Sequence, residues 1–285
     1  MGYVGLALIS GVLLGMWQFG IGLYRRRVSR FTVILVSGGI AGIAYVVIGA
    51  VTGALVFDLD DVPEGIVGGI FNVTGTLLLL KAYECGKVGV ASGIAATCAL
   101  VPLAYSVVLG EPLTGVTGAG TLVLLVGLAM FYGAHLREGG DAPDSSSRAS
   151  ILFALGTALF WGLAVVVLDY GSLVSVTGAL AMSEVPQVAI TLFIIVTAGI
   201  RVSFAGIALS VTGVLVSAGI ALALSNFLFY VAANMGDIGV ASVLGSLSAV
   251  VPAVLAFIFF RERMVKLEQA ALIVVLLGTS LVFLG

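Results

Sequence analysis

The chain has 285 residues, of which 61% are hydrophobic and 9% charged. Soluble domains carry roughly 25% charged residues, so the composition excludes a water-facing globule and predicts an all-α polytopic membrane protein. A formal net charge of −2 gives no sign of a nucleic-acid partner, and one histidine with two cysteines leaves no metal-ligand cluster and no disulfide framework.

A helix needs about 20 apolar residues to cross the hydrocarbon core, and ten such segments are predicted. The first spans 3–23 and carries Gly11, Gly15 and Gly22, with Trp17 and Gln18 toward its inner end. No basic residue precedes it and its charges follow it, so it is expected to be a retained helix rather than a cleavable signal. The second, 32–57, carries Gly38, Gly42, Gly49 and Gly53. Small residues on one stripe let membrane helices approach closely. The third, 63–82, places Asn72 and Thr76 one turn apart. The fourth, 88–109, contains Val90-Ala91-Ser92 and Pro102; Cys85 precedes it and Cys98 lies inside it. The fifth spans 116–134.

Residues 135–149 then form a polar linker beginning at His135, expected to be a solvated boundary residue. The linker divides the chain into five-helix halves, 1–134 and 150–285. The sixth segment, 150–168, carries Trp161 in its middle; the seventh, 173–200, carries Glu184 and Pro186. The eighth, 207–233, sets Asn226, Tyr230 and Asn234 on one helix face at i, i+4 and i+8. The ninth and tenth are 238–260 and 267–284.

Charge sets an expected orientation. All twelve basic residues, from Arg25-Arg26-Arg27 to Lys266, fall in or beside the odd-numbered loops. The even-numbered loops hold only acids, among them Asp58, Asp60, Asp61, Glu111 and Asp237. Basic residues near helix ends stay cytoplasmic, which predicts both termini outside a plasma-membrane protein. Arg25-Arg26-Arg27 reads as a topology anchor able to meet anionic lipid.

The halves also resemble each other. Gly89-Val90-Ala91-Ser92 recurs 150 residues on as Gly239-Val240-Ala241-Ser242, and Val101-Pro102 recurs as Val251-Pro252. Each copy runs on to a glutamate, Glu111 or Glu262, expected to cap or tether its helix. Five crossings per half would invert the second copy, giving two inverted five-helix repeats. Transporters built this way bind substrate near the midplane, where the repeats meet.

On these residues, together with Leu159-Phe160-Trp161-Gly162, Gly110-Glu111-Pro112, Gly127 and Gly278, the chain resembles the drug/metabolite transporter superfamily and its EamA-like ten-helix proteins. The first half departs from the pattern, reading Leu13-Leu14-Gly15 with Trp17 two positions on. Its charges also predict an N-out orientation where members of that family usually look N-in. The resemblance implies a ten-helix secondary carrier of small metabolites, amino acids, sugars or drug-like compounds, with a central cavity and no cofactor.

The candidate substrate- and proton-binding residues are Glu184, Asn226, Tyr230, Trp161, Asn72, Thr76, Trp17 and Gln18. Glu184 is the one acid placed deep in a helix. Such a position costs about 2.5–3.5 kcal/mol on insertion scales, and burial penalises its charged form, which makes it a candidate proton carrier. The bland reading is a protonated acid bonded to a neighbouring helix. The 150-residue offset aligns Thr76 with Asn226. Asn226, Tyr230, Asn72 and Thr76 read either as a polar path or as interhelical hydrogen bonds, and Trp161 as a cavity wall or as packing.

The favoured expectation is a secondary transporter working by alternating access as a proton-coupled exporter, monomeric or homodimeric. An importer or exchanger of the same fold and an uncoupled channel or scramblase are the alternatives. No cation is placed within the helices, so neutral or cationic substrates are favoured. Membrane-embedded enzyme chemistry would need clustered His, Asp or Cys, which the chain lacks.

Overall fold

The computed structural model describes residues 2–23, 28–57, 62–86, 88–110, 115–137, 145–200, 209–260 and 266–284. Arg25-Arg26-Arg27, Asp58, Asp60, Asp61, Glu111, Glu262 and the middle of the predicted linker lie outside them. The described residues form helices and no strand. In the first half these are α1 (Gly2–Leu23), α2 (Arg30–Thr52), α3 (Val62–Cys85), α4 (Val88–Ala96), α5 (Leu100–Val108) and α6 (Gly115–Arg137). The second half contains α7 (Ser145–Ser172), α8 (Val176–Thr197), α9 (Leu209–Met235), α10 (Ile238–Gly245), α11 (Val250–Phe260) and α12 (Lys266–Leu284). Among the described residues, seven stretches are long and apolar enough to cross a bilayer, one of them Ala91–Val108, which runs through α4 and α5. Large apolar side chains such as Ile43, Leu122, Leu152 and Phe193 point outward, the surface a multi-pass membrane protein shows to lipid.

Segments four and nine, each expected as one helix, are broken at the same place. A 3-10 turn at Thr97–Ala99 joins α4 to α5, and another at Ser246–Ala249 joins α10 to α11. The cause is in the sequence. Proline has no N–H and clashes with the carbonyl four residues back; from Pro102 and Pro252 those carbonyls belong to Cys98 and Ser248, inside the two turns.

Glycines of the opposite half pack onto those turns. A Cβ on Gly162 of α7 would come within 2.8 Å of the Cys98 carbonyl oxygen and would overlap Val101. A Cβ on Gly15 of α1 would come within 2.6 Å of the Ser248 carbonyl and would overlap Val251. The 150-residue offset carries Cys98 to Ser248 and Val101 to Val251. Each first helix therefore docks onto the broken helix of the other half. The exchange extends further: α3 packs on α7 as α9 packs on α1, and α3 packs on α8 as α9 packs on α2. In the α6–α12 pair, Gly127 lies against Val275 and Gly278 against Leu124.

The ends of several elements differ from expectation. Gly53 adopts φ 69° and its N–H bonds the Gly49 carbonyl, so α2 stops at Thr52 and leaves 54–57 non-helical. Ser175 caps α8 by accepting from the Gly178 N–H at 3.0 Å, and its hydroxyl donates to the Ala54 carbonyl at 2.6 Å. That one side chain ties the end of α2 to the start of α8. Helix also enters the predicted linker from both sides, α6 running to Arg137 and α7 starting at Ser145.

Candidate functional site

A cavity of about 1060 Å³, counting the part open to solvent, lies between helices of both halves. Its walls come from α1, α2, α3, α7, α8, α9 and the two broken helices. The space is larger than a bound water needs. No Asp, Glu, Lys, Arg or His lines it among the described residues.

Seven of the eight predicted residues line this space: Trp17, Gln18, Asn72, Thr76, Trp161, Asn226 and Tyr230. The Trp17 and Trp161 rings face each other with centroids 6.1 Å apart, tilted by 44°. Trp161 Nε1 donates to Thr76 Oγ1 at 3.3 Å, and Thr76 Oγ1 donates to the Asn72 carbonyl at 2.9 Å. Gly75 makes room for the indole, since a Cβ there would overlap Trp161. On the other side Asn226 Nδ2 donates to Tyr45 Oη of α2 at 3.1 Å. Asn234, on the same face of α9, instead donates to the Ser172 carbonyl at 2.9 Å.

Glu184 is the exception. It is buried, and it does not line the cavity. Its carboxylate Oε2 accepts from Gln187 Nε2 one turn along α8, and Gln187 is the residue that reaches the cavity. Pro186 stays inside α8, facing Gly69 of α3. The glycines of α2 have a specific use here: Gly38 lies against Gln187 Nε2 and Glu184 Oε2, and Gly42 against the Glu184 stem.

The buried hydrogen-bond inventory separates scaffold from site. Ser225 of α9 donates to the Ser10 carbonyl of α1 at 2.8 Å, sealing that helix pair. By contrast Trp17 Nε1, Gln18 Oε1 and Ser242 Oγ are buried and have no partner among the described residues, and the three residues that carry them line the cavity. A buried polar atom without a partner costs about 1–3 kcal/mol, so three such residues around one space set it apart from the scaffold.

Sequence reasoning missed Ser242, Gln187, Tyr45 and the serines Ser10, Ser37 and Ser225. For Ser242 the signal was available in the repeat. Its counterpart Ser92 shares a hydrogen bond of 2.6 Å with Tyr83 Oη, and the 150-residue offset puts Ala233 in place of Tyr83. Gln187 was legible as the i+3 neighbour of Glu184. No group of three His, Cys, Asp or Glu side chains converges to hold a metal among the described residues.

No protein-family model matches the chain, and no curated protein matches it. A solved structure described as "Crystal structure of protein" is similar, with a TM-score of 0.77 and 19% sequence identity over 98% of this chain and 96% of its own. At that identity the likeness concerns the fold.

Proposed function

We propose that the chain is a secondary active transporter of the drug/metabolite type. In this reading it carries a small molecule across the plasma membrane by alternating access, with proton-coupled export as the working direction. The observation that carries the proposal is the central cavity between the halves, lined by Trp17, Gln18 and Ser242, whose buried polar atoms have no partner among the described residues. A channel for small ions has no use for two facing indoles, whereas an organic substrate stacks on them.

The scaffold supports the same reading. The exchanged docking of Gly15 and Gly162 onto the broken helices is what two inverted five-helix repeats would produce, and such repeats alternate access by exchanging conformations. Ten crossings with both termini outside, as the basic residues predict, complete the arrangement. The uncharged lining favours neutral substrates that carry both donor and acceptor groups. Glu184 is the proton site, set one side chain away from the substrate.

The test begins with thermal stabilisation of the purified protein by a metabolite panel, because a ligand of the folded state raises its apparent stability. Ligands found this way are then followed in proteoliposomes under an imposed pH gradient. Gradient-driven accumulation is expected. Flux that ignores both the gradient and Glu184→Gln would instead make the protein an uncoupled pathway.

A further inference from the structure

Gln187 stands between the buried acid and the cavity. Its Nε2 is committed to Glu184 Oε2, so the carbonyl is the end left for the cavity that the side chain lines. The pair is clamped against α2, where a Cβ on Gly38 would overlap Gln187 Nε2 and come within 2.9 Å of Glu184 Oε2. A Cβ on Gly42 would sit 3.4 Å from the Glu184 Cβ. The two glycines thus let α2 pack directly against the pair.

The groups around the pair are few. Among the described residues, Tyr45 of α2 is the titratable side chain near enough to feel the charge of Glu184. Tyr230 of α9 interacts with Tyr45 and with Asp169 of α7. From α3 this part of α8 meets Gly65 and Gly69, and no basic side chain faces Glu184 among the described residues.

We propose that Gln187 translates the protonation state of Glu184 into the hydrogen-bonding character of the cavity wall. A carboxylate only accepts hydrogen bonds, so it holds the amide NH₂ and leaves the Gln187 carbonyl to the substrate. Protonation creates an O–H that needs an acceptor in a dry site. The Gln187 carbonyl is the acceptor on the same clamp. Turning or drawing in the amide to take that O–H removes the carbonyl from the cavity and offers an N–H in its place. No bond to carbon changes; one proton moves between water and Glu184.

A proton on Glu184 and a substrate donor on the Gln187 carbonyl then exclude each other. Coupling of this kind is reciprocal, so each ligand expels the other, which is the condition for exchange rather than co-transport. The inference rests on the transporter reading for its purpose, and its test needs neither flux nor a known substrate.

The experiment is pH-difference infrared spectroscopy of the whole protein in lipid, with the side-chain carbonyl of glutamine carrying carbon-13. The chain has three glutamines, Gln18, Gln187 and Gln269, so the label is sparse. Acidification is expected to raise a carboxylic-acid carbonyl band together with a shift of one labelled glutamine band. The glutamine shift, and the part of the acid band that comes from Glu184 rather than from the other acids of the chain, should vanish in Glu184→Gln. In Gln187→Met the acid band should persist at a higher frequency, because its O–H has lost the acceptor. An acid band at the same frequency in Gln187→Met, an acid band with no glutamine shift, or no acid band at any pH overturns the proposal. If Gln187→Met fails to fold, the isotope measurement on the unaltered chain decides. Absence of flux in proteoliposomes would overturn the transporter reading and leave the spectroscopic result standing.

Discussion

The indole ring of Trp17 on α1 packs against that of Trp161 on α7 in the wall of the central cavity, with 6.1 Å between centroids. These are the two tryptophans of the chain, so intrinsic fluorescence reads the cavity without a label. A ligand that enters should change the emission. Trp17→Phe keeps an aromatic wall and removes the unpartnered Nε1. It should weaken Kd about tenfold, the worth of one hydrogen bond of about 1.4 kcal/mol, with the remaining emission still responding through Trp161.

Ser92 and Ser242 occupy equivalent places in the repeat and should respond oppositely to the same change. Ser92→Ala removes the hydrogen bond to Tyr83 and should lower stability by about 1 kcal/mol. Ser242→Ala removes a buried hydroxyl that has no partner among the described residues, so stability should hold or rise while ligand affinity falls. Thermal unfolding in detergent with a parallel binding titration checks both. Equal loss of stability in the two variants would place Ser242 in the scaffold.

The glycines that dock on the broken helices should not tolerate a methyl group. Gly15→Ala and Gly162→Ala force a Cβ into Ser248 with Val251, and into Cys98 with Val101; overpacking of this kind costs about 1–3 kcal/mol. Gly39 of α2 has nothing within 4 Å of a built Cβ. Gly39→Ala should therefore be neutral or stabilising, since alanine favours helix by about 1 kcal/mol over glycine. Melting temperatures of the three variants test this ordering.

Glu184→Gln keeps the size of the side chain and removes the proton site. Transport in proteoliposomes should lose its pH dependence, while the folded protein and the contact between the indoles remain. Retained, pH-dependent exchange in this variant would return Glu184 to a purely structural acid.

Orientation is open to chemical labelling. In a background with Cys85 and Cys98 replaced by alanine, Asp61→Cys should react with an impermeant maleimide applied outside, and Arg26→Cys should not. The reverse pattern would turn the charge-predicted orientation over.

Much of the scaffold was legible because its signals are local. The breaks at Thr97–Ala99 and Ser246–Ala249 follow from Pro102 and Pro252, each acting on a carbonyl four residues back. Asn72 and Thr76, and likewise Asn226 and Tyr230, reach one cavity because helical spacing puts each pair on one face. Glu184 was less well read. Its depth in α8 was visible in the sequence, but its separation from the cavity by Gln187 depends on where α2 lies. Tyr45 escaped notice for the same reason, because its bond to Asn226 spans 181 residues of chain.

The sequence by itself determined a membrane-embedded helical chain with a motif repeated at a 150-residue offset. Composition, helical period and proline act over a few residues, and the bilayer then demands that every backbone group be satisfied within its own helix. Which glycine meets which carbonyl, which polar atoms are left unpaired, and that an amide screens the buried acid were decided only by tertiary packing. Those are contacts between residues far apart in the chain. Their energies depend on how helices of the two halves interlock, which no local pattern records.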